Sequence, residues 1–145
     1  MSKSQTAKST TTPESMFSRS TAALTTPSAP KPNGNYSHVV RSGNNLHLCG
    51  LVGDDPTTGK IIHQKTEGQT KQIMRNISAC LEAAGSNLDK IVSRRVYLID
   101  MNDFRAVDRI WGELVKAPHP VSTCVGVTAL SKEGARIEIE VIAEA

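Results

Sequence analysis

Two stretches with apolar residues at helical spacing flank one short strand-like run, and that arrangement sets the fold class. In the first, Ile73, Ile77, Leu81 and Ala84 recur on one helical face. The tetrad "TEGQ" at 66–69 has the form of a capping box, with Thr66 followed three residues later by Gln69. Gly85 stands where a helix would stop. In the second stretch, Phe104, Val107, Ile110, Trp111, Leu114 and Val115 form the apolar stripe. Asp100 or Asn102 is its candidate cap, and "KAPHP" ends it because Pro118 and Pro120 cannot continue a helix. Between the two, "IVSRRVYLI" at 91–99 reads as a strand with Val92, Val96 and Leu98 on one face and Ser93, Arg95 and Tyr97 on the other. Helices of this kind bury their stripe against a sheet.

The remaining strands follow from turns and alternation. "HVVRSGNNLHLCGLVG" reads as two short strands about the turn "SGNN", and "DDPTTGK" is a second turn. Two last strands, 121–130 and 135–143, are joined by "SKEGA". In the final one Ile137, Ile139 and Val141 alternate with Arg136, Glu138 and Glu140. The order β-β-α-β-α-β-β predicts an α+β two-layer sandwich, a mixed sheet with two helices on one face.

One face of that sheet is then left uncovered. In "HPVSTCVGVTAL", Val121, Thr123, Val125 and Val127 alternate with the small set Ser122, Cys124, Gly126 and Thr128. Placed with Arg95, Tyr97, Glu138 and Glu140, the small set falls on the uncovered face. A solvated outer face accounts for the charges. It accounts poorly for Cys124 and Gly126, types depleted on exposed strands, whereas packing on another subunit accounts for them.

Composition narrows the function classes. Net charge is only +3 and aromatic content is 3%, so a nucleic-acid partner is not expected. No apolar run is long enough for a membrane-spanning helix. Residues 1–28 are half Ser and Thr and have little to bury, which predicts a tail without fixed structure ahead of one domain at 29–145. Lys3, Lys8 and Arg19 against the single acid Glu14 keep a transit peptide as the alternative. Cys49, Cys80 and Cys124 lie far apart in apolar runs, as buried thiols of a reducing compartment do. The expected location is therefore cytoplasmic, or mitochondrial if the first segment is a targeting peptide. His38, His47, His63 and His119 have no metal-ligand spacing among themselves or with the cysteines, so no metal is expected.

Taken jointly and in order, "NGNYSHVVRSGNNLHLCG", "DDPTTGKI", "QTKQIMRNISACLEAAGSNLDKIV", "VYLIDMNDFRAV" and "RIEIEVIA" carry a likeness. Over about four-fifths of its length the chain resembles the Rid family, also called the YjgF family of reactive-intermediate deaminases. The resemblance implies a chorismate-mutase-like fold and a homotrimer, with sheets about a central axis, helices outside and ligand clefts between neighbouring subunits. It implies hydrolysis of reactive imines and enamines to 2-keto acids and ammonia, without metal or organic cofactor. Some members have been assigned RNA cleavage or inhibition of translation.

The resemblance also implies site residues. Tyr36 in "GNYS" matches the family's loop tyrosine. Cys49 and Gly50 in "LCGL" match its "SG", a thiol replacing a hydroxyl. Cys124 matches the cysteine of "RSC", and Glu138 matches the first acid of "IEIE", which orients the attacking water in the deaminases. The departure is at "PVST", where the deaminases carry an arginine in a "PARS"-like run that grips the substrate carboxylate. Here that position is Ser122. A hydroxyl does not replace a forked guanidinium, and losing one such contact costs about 1.5–3 kcal/mol. Arg94 and Arg95 on the neighbouring strand are candidates to compensate, with Arg95 on the expected face. Three functions follow in order: a deaminase-like hydrolase acting on imine, enamine or keto-acid-like ligands with altered preference, a trimer that binds a small metabolite without turnover, and a ribonuclease.

Overall fold

A computed structural model describes residues 22–145; the expectations for residues 1–21 lie outside the described residues. Among the described residues, seven strands form one sheet: β1 (Ala22–Leu24), β2 (Val39–Ser42), β3 (Asn45–Leu48), β4 (Leu51–Val52), β5 (Ile91–Leu98), β6 (Val121–Gly126) and β7 (Ile137–Glu144). Helix α1 spans Thr66–Ala83 and α2 spans Phe104–Leu114. The sheet order is β1-β2-β3-β7-β5-β6, with β4 also on β7. The β5–β6 pair is parallel and the others are antiparallel, so the sheet is mixed. Both helices share one core with it, built from Ile73, Ile77 and Leu81 of α1, Val107 and Trp111 of α2, and Val96, Leu98, Ile137, Ile139 and Val141 of the sheet. This is the α+β two-layer sandwich expected.

The stop signal of α1 works as the residue types require. Gly85 takes a positive φ of 79°, Ser86 N donates to Leu81 O at 2.8 Å, and Gly85 N donates to Glu82 O at 3.0 Å. That closes a Schellman motif, which an L side chain enters with strain. Gly85→Ala is expected to lower stability by about 1 kcal/mol, read as a shift in denaturant midpoint without a change in slope. The start signal is used differently. No side chain caps α1 at Lys65. Thr66 Oγ1 instead donates to Asp103 Oδ2 at 2.6 Å, and Gln69 is spent on His63 O nearby and on the distant Gly134 O and Arg136 N. Competing tertiary partners have displaced the capping box.

Three strand expectations are corrected. Residues 22–28, expected within the tail, carry β1 paired to β2, and Thr26 N donates to the buried ring of His38 at 3.0 Å. In β5 the pairing with β7 jumps from Ile91↔Ala143 to Ser93↔Ile142, a bulge that turns Val92 outward. In β6 the alternation is opposite to that expected. Ser122, Cys124 and Gly126 pair with Arg94, Val96 and Leu98, and so lie on the helix side. Val121, Thr123 and Val125 share the open face with Arg95, Tyr97, Glu138 and Glu140. Among the described residues β6 pairs only with β5, and its phase follows that register.

Candidate active site

The site grows from an interruption beside β7. Pairing of β3 with β7 ends at His47↔Ile142, and pairing of β4 resumes at Leu51↔Ile139. Cys49 and Gly50 occupy the gap, held by Cys49 N donating to His38 O at 2.9 Å. Glu138 projects from the open face of β7 against this gap. A Cβ on Gly50 would stand 2.8 Å from Glu138 Cδ, so only glycine lets the carboxyl lie there. Tyr36 lines the site from the preceding loop, its hydroxyl donating to Asn33 Oδ1 at 2.5 Å. His38 anchors the same loop: its Nδ1 accepts from Thr26 N, which leaves Nε2 to donate to Pro30 O at 2.7 Å. Both ring nitrogens are thereby engaged in structure.

Tyr36, Cys49, Gly50 and Glu138 line one cavity, together with Asp54 and Lys132. Its volume is about 30 Å³ within the single chain, room for water but not for a metabolite. Burial raises the Glu138 carboxyl above the ordinary carboxylate value, and the neighbouring Glu140 charge adds to it. Burial, followed by the Glu138 charge, pushes the Cys49 thiol up to about 11. At pH 7 that leaves about one thiolate in ten thousand, so Cys49 is poorly suited to covalent attack. Asp54 is raised by burial, partly offset by Lys132, whose Nζ stands 3.6 Å from Asp54 Oδ2. Sequence reasoning missed Asp54 and Lys132, which reach the cavity from loops with no pattern of their own.

Ser122 and Cys124 lie elsewhere, on the edge strand β6. Ser122 Oγ accepts from Arg94 Nε at 2.8 Å. Arg94 Nη2 donates to Asp108 Oδ1 at 2.6 Å, and its guanidinium lies 4.7 Å from the centre of the Trp111 ring. Cys124 packs on the core; burial raises its thiol and the Arg94 charge opposes this. Arg94 rather than Arg95 is therefore the neighbour of position 122. Arg95 points to the open face near Glu140, at 3.9 Å. Its phase with Val96 and Leu98 is the sequence signal by which Arg94 could have been found on the helix side.

Among the described residues, no group of three or more His, Cys, Asp or Glu could hold a metal ion, and no helix is long and apolar enough to cross a membrane.

The endoribonuclease L-PSP family model matches residues 26–145. The chain belongs to that family, the Rid/YjgF family. A RutC family protein of Pyrococcus horikoshii is 42% identical over 118 residues, covering 81% of this chain and 93% of the relative. The human 2-iminobutanoate/2-iminopropanoate deaminase is 34% identical over 120 residues, 83% of this chain and 87% of the relative. The solved structure of RidA from an Antarctic Psychrobacter superposes with a TM-score of 0.81 at 33% identity, covering 85% of this chain and 98% of that one. This Rid chain thus has the sandwich of its solved relatives.

Proposed function

We propose that the chain is a deaminase-like hydrolase of small imines and enamines, working in clefts between the subunits of a homotrimer. The observation that carries this reading is the Glu138 carboxyl, half-buried over Gly50 in the same polar cavity as Tyr36. A carboxylate there accepts a proton from water as its oxygen adds to the carbon of the protonated imine. The carboxyl then returns that proton to the carbinolamine nitrogen. The C–N bond breaks as the hydroxyl gives up its proton to form the carbonyl, and the nitrogen leaves as ammonia, which takes up that proton as ammonium. The cavity of one chain is too small for a substrate, and Ser122 and Cys124 stand apart from it on an exposed sheet edge. Apposing the edge of one copy to the cavity of the next would complete a cleft. Val121 and Val125 are 71% and 42% exposed on the open face, as a face buried between copies would require. Ser122 in place of a direct guanidinium weakens the hold on a substrate carboxylate and so alters substrate preference by narrowing the advantage of anionic imines over neutral ones.

The test is ammonia release from 2-iminobutanoate generated in the cuvette by an amino-acid dehydratase. Accelerated release is expected, and Ser122→Arg is expected to raise kcat/KM on this imino acid roughly tenfold. No rate above the uncatalysed background in either protein would overturn the hydrolase reading and leave a metabolite-binding trimer. Sedimentation is expected to return three times the chain mass of 15.6 kDa; a mass of one chain would overturn the shared cleft.

A further inference from the structure

Arg94 is 7% exposed, yet its guanidinium is only partly answered. Nε serves Ser122, Nη2 serves Asp108, and Trp111 lies against it. Nη1 is buried and meets no acceptor among the described residues. A charged donor left unpaired in the interior is unfavourable, and native chains seldom keep one without a use. Its carboxylate partner Asp108 is 52% exposed, so water screens that pair and offsets only part of the cation. The guanidinium is therefore fixed in place with charge to spare.

Ser122 is exposed on the edge strand just outside it. Its oxygen already accepts from Arg94 Nε, so its own proton points elsewhere. A hydroxyl that accepts from a cation becomes a stronger donor to a second acceptor. The field also reaches along β6, since the Arg94 charge opposes the burial effect at Cys124.

We infer that Arg94, acting through the Ser122 hydroxyl, is the positioning residue for an anionic oxygen of the ligand, the carboxylate of an imino or keto acid, at the β6 wall of the cleft. This rests on the deaminase reading above and names how that site holds charge without a direct guanidinium. The hold is softer than a bidentate one because the cation stands one hydroxyl back from the ligand.

The experiment compares acid with ester. Affinity for 2-oxobutanoate and for its methyl ester is measured by NMR titration, and kcat/KM for the matching imines by ammonia release. Parent, Arg94→Gln, Ser122→Ala and the double variant are compared, each with its melting temperature. Selectivity for the acid over the ester is expected to fall roughly tenfold in each single variant. The double variant is expected to fall no further, because one relay is broken once. Ser122→Ala, at an exposed position, carries the test if Arg94→Gln does not fold. A merely structural Arg94 would lower melting temperature without changing this selectivity. Selectivity unchanged in the variants, losses that multiply in the double variant, or a parent that does not bind the keto acid would each overturn the inference. Turnover with selectivity independent of Arg94 overturns it alone. Keto-acid binding that depends on Arg94, without turnover, supports it while removing the hydrolase reading.

Discussion

Replacing Glu138 with Gln is expected to lower kcat/KM on 2-iminobutanoate by about 10² to 10⁴, the range for loss of a positioned acid–base group. Gln keeps the shape of the side chain over Gly50 but accepts no proton. The same variant is expected to melt at a higher temperature than the parent at neutral pH. The Glu138 carboxyl is raised by burial and then by Glu140, so the folded chain holds this proton more tightly than the unfolded chain does. Its contribution to stability is then fully present below the ordinary carboxylate range and is lost as pH rises through the raised value. Activity runs the other way, because the base must be ionised. Across that window the parent gains rate while losing stability, and the Gln variant does neither. Thermal melts and rates taken together from pH 4 to 8 check this. A Gln variant with parental turnover would remove Glu138 from the chemistry.

The expected trade between stability and activity at one carboxyl fits its position. A sheet face built only for stability would not place Glu138 and Glu140 two residues apart on a half-buried strand. Tyr97 answers Glu140 with a hydrogen bond of 2.6 Å, and Arg95 stands beside it. Glu138 is left facing the cavity of Gly50 and Tyr36. Two adjacent acids thus have different surroundings: one is tied into the sheet face, and one is held at raised pKa where water can reach it.

What could be read from the sequence was local or strongly periodic. The Ile137, Ile139 and Val141 alternation, the α1 stripe and the Gly85 stop are each settled by neighbours within a few residues, and all three stand in the structure. The errors have distant causes. Thr66 and Gln69 form a capping box only if nothing better competes, and Asp103, Gly134 and Arg136 compete from far along the chain. The alternation in β6 carries no sign of which set points inward. A β-branched set normally packs on the core, but here Val121 and Val125 face outward, because register with Arg94 and Val96 fixes the phase. The same long-range pairing hid the bond between Arg94 and Ser122. Likeness of motifs named Tyr36, Cys49, Gly50 and Glu138, which the chain gathers into one cavity. It also named Ser122 and Cys124, which one chain does not bring there. Nothing in spacing alone separates those two groups.

Gly50→Ala is the second large effect expected, and it tests the position of the carboxyl rather than its chemistry. The added methyl would lie 2.8 Å from Glu138 Cδ, 2.9 Å from Oε1 and 3.2 Å from Cγ, inside contact distance at all three. Something must move. The β7 backbone at Glu138 is pinned between Val52 and Tyr97 on both sides, so the side chain is the part that swings away. A shift of about 1 Å in a water-positioning group lowers turnover by about 10²-fold. Stability should change little, because the carboxyl leaves a crowded, desolvated position as it swings away. Loss of activity with a melting temperature within a few degrees of the parent is therefore the expected pair of readings. The two substitutions should also fail to multiply: in the Glu138→Gln background, where no proton is accepted, adding Gly50→Ala removes little more. Full activity in Gly50→Ala would mean that the carboxyl works from some other position, and the close approach over Gly50 would then be packing alone.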